Sequence, residues 1–231
     1  MLRTTLALAF LALFALAIGI PLLLLGWVAG TAGPFYSAAK LALRWSLALG
    51  GVRRRIEGSE NIPPGPCLFM PNHTSAVDPI AVFVSIPRQV AFMAKQELFR
   101  IPLFGWAMRL ESFIPVDRAS HEAAASSADL AVEHLRSGGS MVIYPEGTRS
   151  PDGRLLPFKR GAFLLAIRAK RPIVPITILG AERVLARGQS WLRPGEIRLI
   201  FHPAVDAAAY AESGREELLK QVRAVIGSRF P

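Results

Sequence analysis

Residues 66–79 have the sequence Pro-Cys-Leu-Phe-Met-Pro-Asn-His-Thr-Ser-Ala-Val-Asp-Pro. The apolar run 66–71 predicts a short buried strand, because a brief apolar segment that ends at a turn is typical of one. Asp78 and Pro79 predict the start of a helix, with Asp78 as the N-cap and Pro79 as the first helical residue. This segment therefore predicts a strand, a polar turn and a helix in succession.

The same alternation continues along the chain. Strands are predicted at 89–94, 113–116, 140–144, 173–179 and 197–201, and helices at 120–136, 161–170 and 212–226. Alternating strands and helices indicate an α/β fold, with a mixed, largely parallel sheet flanked by helices. Because no repeat or low-complexity linker interrupts the pattern, we expect one domain over residues 51–231, preceded by a membrane-associated helical element over residues 1–50.

The N-terminal part of the chain is strongly apolar. No charged residue occurs from Thr4 to Ala39, and Leu6–Ala29 is interrupted only by glycines and Pro21. As a helix, Leu6–Ala29 would extend for roughly 36 Å, enough to cross a hydrocarbon core of about 30 Å. A cleaved signal peptide fits less well, because its apolar core is normally about 7–15 residues long. Pro21 is expected to kink or break the helix, so a spanning helix and a bent insertion into one leaflet are both open.

A second N-terminal helix is predicted over residues 36–49. Ser37, Lys40 and Arg44 are spaced three and four apart and form one polar stripe on this otherwise apolar helix. The stripe favours an interfacial helix that lies on the membrane. An amphipathic helix packed on the domain is the alternative.

Charge is distributed unevenly along the chain. Residues 40–55 contain five basic residues and no acid, and only Arg3 precedes them. This asymmetry predicts a cell-membrane protein with its domain on the cytoplasmic face. The net charge of +10 suits an anionic lipid surface, and without interleaved aromatic and basic residues we expect no nucleic-acid partner. The single cysteine, Cys67, excludes an intramolecular disulfide, and with four scattered histidines it gives no reason to expect a metal site.

His73 and Asp78 are the first candidates for chemistry. Residues five apart lie about 140° apart on a straight helix, so these two side chains meet only across a turn. There the carboxylate would accept a hydrogen bond from one imidazole nitrogen and leave the other basic. Such a pair can take a proton from a hydroxyl near neutral pH. The spacing equally allows Asp78 to act only as a helix cap and His73 to be a buried turn residue.

Basic residues follow several of the predicted strands. Arg149 ends the polar run 144–149, Arg118 follows the strand 113–116, and Lys159 opens a pair of cations before a helix. An arginine offers a bidentate fork that suits a phosphate, and glycine in the run 144–149 permits close approach of the backbone to a ligand. With the His-Asp pair, these cations predict a site for an anionic substrate that carries a hydroxyl to be activated.

Taken together, these motifs resemble those of the lysophospholipid/glycerolipid acyltransferase family. Asn72-His73 with Asp78 resembles its His-x4-Asp motif, and Pro145-Glu146-Gly147-Thr148-Arg149 resembles its Glu-Gly-Thr motif. Residues 113–118 resemble its apolar strand with an arginine, and residues 174–176 its Val-Pro-Ile motif. All four occur in the family's order. The subgroup that the chain resembles is that of the bacterial 1-acyl-sn-glycerol-3-phosphate (lysophosphatidic acid) acyltransferases.

The resemblance implies transfer of a fatty acyl group from acyl-CoA or acyl-carrier protein to the 2-hydroxyl of lysophosphatidate, which forms phosphatidate in phospholipid biosynthesis. In this interpretation His73 is the general base and Asp78 orients it. The implied substrate-binding residues are Arg118 and Arg149 for the phosphate, Lys159 as an additional cation, and Glu146, Gly147 and Thr148 around the acceptor. No cofactor and no metal is implied beyond the acyl donor, and the partners are membrane lipids and the two substrates.

Three alternatives are open from the sequence. The acceptor could be glycerol 3-phosphate or lyso-ornithine lipid, because the family shares these motifs across acceptors. An acyl hydrolase would use Ser75 as a nucleophile, although Ser75 is flanked by Thr74 and Ala76 and the segment lacks the Gly-x-Ser-x-Gly nucleophile elbow. A membrane scaffold that binds lipid without turnover is the third.

Overall fold

Seven strands form one sheet in the computed structural model, which describes residues 1–31, 33–116 and 121–230. They are β1 (Val52–Glu57), β2 (Leu68–Pro71), β3 (Ala91–Lys95), β4 (Ile114–Val116), β5 (Met141–Val142), β6 (Ile173–Leu179) and β7 (Gly195–Phe201). The strand order is β1-β7-β6-β2-β5-β3-β4. All neighbours are parallel except β6 and β7. The predicted mixed, largely parallel sheet is confirmed.

Helices account for about half of the remaining described residues. They are α1 (Leu2–Phe14), α2 (Ile20–Ala29), α3 (Gly33–Leu49), α4 (Asp78–Ser85), α5 (Phe104–Leu110), α6 (His121–Arg136), α7 (Arg160–Ala169), α8 (Ala181–Val184) and α9 (Arg215–Gly227). The helices predicted from 36 onward are present within a few residues of their expected bounds. Neither α5 nor α8 is predicted from the sequence, because seven and four residues are too few to show a helical period.

The central strands are buried on both faces by helices. Leu68 of β2 packs with Leu135 of α6 and Phe163 of α7 in one core, whereas Phe69, the next residue, packs with Val82 of α4 in the other. All of these side chains are fully buried. Continuous burial of consecutive strand residues is typical of a parallel sheet covered on both sides.

The N-terminal element is a helical hairpin. The segments α1, a π-helical turn (Ala15–Gly19) and α2 form one continuous helix, Leu2–Ala29. Among the described residues it is the one helix long and apolar enough to cross a membrane. The helix does not break at Pro21, because the wider π-helical turn before it relieves the clash between the proline ring and the preceding carbonyls; a kink there stays a prediction. Gly30, with φ of 65°, ends α2, and α3 returns along α1.

The polar stripe on α3 docks this helix onto the domain. Nζ of Lys40 donates to the carbonyl of Ile86, and Nε and Nη2 of Arg44 donate to that of Val84 at 3.1 and 3.0 Å. These carbonyls lie at the C-terminal end of α4, where unpaired carbonyls and the helix dipole favour cations. The contacts are those of the packed amphipathic helix considered as the alternative, and contact of α3 with lipid stays a prediction.

Both ends of the long apolar helix touch the domain. The amide of Leu192 donates to Oγ1 of Thr4 at 2.9 Å near the start of α1. At the end of α2, the Trp27 ring meets the Trp106 ring of α5 edge-on, with the centroids 6.2 Å apart. A helix of this length extends for about 42 Å, so the helix Leu2–Ala29 lies along the domain instead of pointing away from it.

Candidate active site

His73 and Asp78 meet across the turn between β2 and α4, which is the first of the two arrangements that the spacing allows. Nδ1 of the imidazole lies 2.9 Å from Oδ2 of Asp78. The backbone amides of Thr74 and Ser75 donate to the same oxygen, each at 2.7 Å. Asp78 is completely buried, and these three donors compensate for the water that its Oδ2 has lost. The carboxylate therefore fixes both the imidazole and the turn that carries it.

Asp78 does not act as the helix cap that the sequence suggests. It is the first residue of α4, and its predecessor Val77 occupies the N-cap position without a side-chain hydrogen bond. The carboxylate turns back toward the amides of Thr74 and Ser75, since these and the imidazole offer it three donors at once.

The hydrogen bond between Nδ1 of His73 and Asp78 determines which imidazole nitrogen is basic. An ionised Asp78 can only accept, so Nδ1 of His73 carries the proton and Nε2 carries the free lone pair. The His73 side chain is 16% exposed, so a substrate can approach it from solvent. A hydroxyl placed at Nε2 would meet a general base of fixed orientation.

Glu146 holds the backbone of His73 from the neighbouring strand. It follows β5, and its Oε1 accepts the amide N–H of His73 at 2.6 Å while Oε2 accepts that of Leu156 at 2.9 Å. The amide of Ser150 donates to the carbonyl of His73 at 2.8 Å. Burial raises the pKa of Glu146, and the two amide donors act in the opposite direction. Glu146 is thus a positioning residue for His73, and its contact with a substrate stays a prediction.

Tyr144 packs against the candidate base, a contact that the sequence does not predict. The Tyr144 and His73 rings are stacked with their centroids 4.1 Å apart and their planes at 28°. Burial raises the pKa of the Tyr144 hydroxyl well above its usual value, so the ring stays neutral. The signal available in the sequence is its position directly before the motif 145–149.

Asn72 ties the end of β2 to its neighbour β6. Its Nδ2 donates to the carbonyl of Ile178 at 3.0 Å, and its Oδ1 accepts the amide of Ile178 at 2.6 Å. The side chain therefore replaces a ladder pair where β2 has ended. These two hydrogen bonds therefore fix the backbone directly before His73.

The structure describes four of the other five predicted substrate-binding residues. Gly147 has φ of 69°, and a Cβ added there would lie 2.8 Å from Cε and 2.9 Å from Nζ of Lys159, so the lysine chain lies directly over the glycine. Thr148 is exposed and Arg149 is partly buried on the same turn. Arg118 lies outside the described residues. The binding roles of these five residues stay predictions.

Ser75 is poorly suited to be a nucleophile. Its Oγ donates to the carbonyl of Leu185 at 2.6 Å, and the residue is 1% exposed. Its amide is also occupied by Asp78. These contacts make Ser75 part of the turn and disfavour the hydrolase alternative.

Among residues 1–31, 33–116 and 121–230, no three His, Cys, Asp or Glu side chains are grouped as metal ligands would be. Cys67 is buried in the core, and burial raises the pKa of its thiol to about 11. A reactive thiolate at this position is therefore disfavoured.

Comparisons with known proteins match this chain to acyltransferases. The sequence profile of the family described as Acyltransferase matches residues 53–179. The chain is 37% identical over 153 residues to 1-acyl-sn-glycerol-3-phosphate acyltransferase BAT2, chloroplastic, of Brassica napus. This alignment covers 65% of this chain and 44% of the relative. The chain is also 31% identical over 190 residues to 1-acyl-sn-glycerol-3-phosphate acyltransferase of Pseudomonas aeruginosa. This alignment covers 81% of this chain and 72% of the relative.

A solved structure matches nearly the whole chain. The crystal structure of the 1-acyl-sn-glycerophosphate (LPA) acyltransferase PlsC from Thermotoga maritima aligns with a TM-score of 0.85 at 25% identity, and covers 98% of this chain and 94% of that one. The chain spans about half the length of three of the plant and algal relatives that it matches, those of Brassica napus, Arabidopsis thaliana and Chlamydomonas reinhardtii. The matched profile covers more than half of the chain and includes both His73 and Glu146. The chain belongs to the acyltransferase family.

Proposed function

We propose that this protein transfers a fatty acyl group from acyl-CoA or acyl-carrier protein to the 2-hydroxyl of lysophosphatidate and so forms phosphatidate. The observation that carries the proposal is the His73–Asp78 pair, held at 2.9 Å at the end of a buried strand. The relatives named above are 1-acyl-sn-glycerol-3-phosphate acyltransferases, which supports lysophosphatidate as the acceptor.

The proposed reaction is a direct attack. Nε2 of His73 takes the proton of the acceptor hydroxyl, and the oxygen forms a bond with the thioester carbonyl carbon. The carbon–sulfur bond then breaks, and the leaving thiolate takes the proton back from His73. Asp78 keeps the imidazole in its orientation and stabilises the imidazolium that forms between these steps. Arg118, Arg149 and Lys159 would bind the phosphate, and no metal or resident cofactor takes part.

We further propose that the helix Leu2–Ala29 inserts into one leaflet of the cell membrane. A spanning helix would place its ends on opposite sides of a hydrocarbon core of about 30 Å, whereas Thr4 and Trp27 both touch the domain. The basic residues between 40 and 55 support a domain on the cytoplasmic face.

An acyl-transfer assay on the purified full chain in detergent tests the proposed reaction. Lysophosphatidate, glycerol 3-phosphate and lyso-ornithine lipid are offered in parallel, each with acyl-CoA and with acyl-carrier protein. We expect phosphatidate from lysophosphatidate, insensitive to a metal chelator. Turnover of another acceptor alone would overturn the proposed substrate. Lipid binding without turnover of any acceptor would support the scaffold alternative.

A further inference from the structure

A short surface segment outside the N-terminal hairpin exposes an unusual concentration of apolar side chains. This segment, the 98–104 loop, comprises residues 98–104 between β3 and α5 and ends at the first residue of α5. In the described residues from 51 onward, seven large hydrophobic side chains are exposed, and four of them belong to this loop: Leu98, Ile101, Leu103 and Phe104. Scattered exposed apolar residues are ordinary, but a cluster of this kind marks an interaction surface.

The 98–104 loop is held in a defined shape. Phe99 is buried beneath it, and a Cβ added at Gly105 would lie 2.1 Å from the carbonyl oxygen of Phe99. The amide of Gly105 donates to the carbonyl of Ile101 at 2.8 Å. Leu103 has φ of 61°, a conformation that costs a non-glycine residue free energy. The domain therefore fixes a conformation in which these apolar side chains point outward.

This surface is continuous with the apolar hairpin. Trp106 of α5 meets Trp27 of α2, and a Cβ added at Gly26 would lie 3.7 Å from Cδ2 of Leu110. The helix that follows the 98–104 loop is therefore packed against the end of the helix proposed to enter the membrane. Trp27 itself is 66% exposed, so the apolar surface extends from the hairpin to the loop.

The location and charge of the loop fit a lipid surface. The loop follows β3, whose carboxyl end lies at the same edge of the sheet as that of β2, because both strands are parallel to β5. The loop and His73 therefore lie at one edge of the domain. Lys95, Arg100 and Arg109 are exposed around it, with Glu97 as the acid among them. Cations beside apolar side chains are typical of contact with anionic lipid headgroups.

We propose that the 98–104 loop is a second membrane-inserting element, which enters the headgroup region of an anionic bilayer beside the N-terminal hairpin. The inference rests on the membrane insertion of the helix Leu2–Ala29 proposed above. It adds a second point of attachment to the bilayer and turns the edge that carries His73 toward the bilayer.

Site-specific fluorescence tests this proposal. Cys67 is buried, so a Phe104→Cys variant of the full chain can be labelled with bimane at the new position alone. The matched control is Leu130→Cys on α6, because Leu130 and Phe104 are 53% and 52% exposed. Leu13→Cys reports on the hairpin. Each protein is reconstituted into phosphatidylcholine–phosphatidylglycerol vesicles and quenched with shallow doxyl lipids and with aqueous iodide.

We expect the label at 104 to lose most of its emission to doxyl lipid and little to iodide, and the label at 130 to show the reverse. Equal behaviour of the labels at 104 and 130, with the label at 13 quenched by lipid, would overturn the loop proposal alone. Absence of lipid quenching at 13 would overturn the proposed hairpin insertion. Protection from iodide at 104 without lipid quenching would mean that a protein, such as a second copy, covers the loop, and this would also overturn the proposal.

Discussion

At the scale of single residues, one carboxylate oxygen of Asp78 organises the candidate site. It accepts from the imidazole of His73 and from the amides of Thr74 and Ser75. The other oxygen is buried and has no partner in the described part of the chain. The two roles of Asp78, holding the turn and supplying a negative charge, can therefore be tested separately. An amide oxygen could hold the turn, but only a carboxylate could stabilise a charged imidazolium.

The substitution Asp78→Asn removes the negative charge and keeps an oxygen that can hold the turn. The amide oxygen can replace the oxygen that holds the turn, so we expect a folded protein with a modestly lowered thermal midpoint. Because the imidazolium loses its counter-charge, we expect kcat to fall by about 10²- to 10⁴-fold. Acyl-transfer rates and thermal unfolding of the same preparation check both expectations. Wild-type kcat in this variant would contradict the orienting role of Asp78.

Glu146→Gln should affect stability and rate together. Both oxygens of Glu146 accept backbone amides, so the new NH₂ group must face an N–H donor, and one buried amide loses its partner. We expect a loss of about 1–3 kcal/mol in the free energy of unfolding and a lower kcat, since the backbone of His73 shifts. Denaturant unfolding and initial rates measure the two effects. Glu133→Gln, at an exposed position on α6, is the matched control and should change neither.

At the scale of elements, the end of β2 determines where the site begins. Asn72 makes two hydrogen bonds to the backbone of Ile178 in β6, beyond the last residue of β2. The arrangement explains why a polar residue stands between a buried strand and the turn that carries His73. It also links the site to the centre of the sheet.

A short substitution series at Asn72 tests this link. Asn72→Ala leaves the amide and carbonyl of Ile178 unpaired in the core, and we expect a loss of about 2–4 kcal/mol in the free energy of unfolding. Asn72→Asp keeps the acceptor, but it buries a charge and sets a second oxygen against the carbonyl of Ile178, so near neutral pH it should be no more stable than Asn72→Ala. Equal stability of wild type and Asn72→Ala would contradict the account.

Sequence patterns predict the elements better than their contacts. The apolar run 173–179 matches β6 residue for residue, and the meeting of His73 with Asp78 follows from the turn between them. The sequence does not reveal that the polar side chains of α3 donate hydrogen bonds to the end of α4, or that Tyr144 stacks on His73. Such contacts join residues far apart in the chain, and local periodicity carries no information about them. The continuity of the helix through Pro21 depends on a π-helical turn that propensity does not predict.

At the scale of the whole molecule, the two edges of the sheet differ. His73 and the 98–104 loop lie at one edge, and the opposite edge holds a cavity of about 620 Å³ lined in part by Glu111 and Gln89. Glu111 is buried, and Nε2 of Gln89 donates to its Oε2 at 2.8 Å. Burial raises the pKa of Glu111 from 4.5 to about 7.

This carboxyl makes stability depend on pH. A carboxyl whose pKa is higher in the folded than in the unfolded protein binds its proton more tightly on folding. The contribution of Glu111 to stability is therefore fully present below pH 4.5 and is lost as the pH rises to about 7. Glu111→Gln should be more stable than wild type above pH 7, by up to about 3 kcal/mol. The difference should shrink toward pH 5.

Thermal midpoints of both proteins at pH 5 and pH 8 measure this difference. Because Glu111 lies at the edge opposite His73, the acyl-transfer rate at pH 8 should not change in the variant. A difference in midpoint that is the same at both pH values would contradict the assignment of a raised pKa to Glu111.

The most direct measurement compares acyl transfer to lysophosphatidate by wild type, His73→Ala and His134→Gln, each purified as the full chain. His134 belongs to α6 and lines the cavity at the opposite edge, so it controls for the loss of a histidine. If Nε2 of His73 is the general base, His73→Ala loses at least about a hundredfold in kcat while His134→Gln keeps its rate. Wild-type kcat in a folded His73→Ala protein would contradict the mechanism.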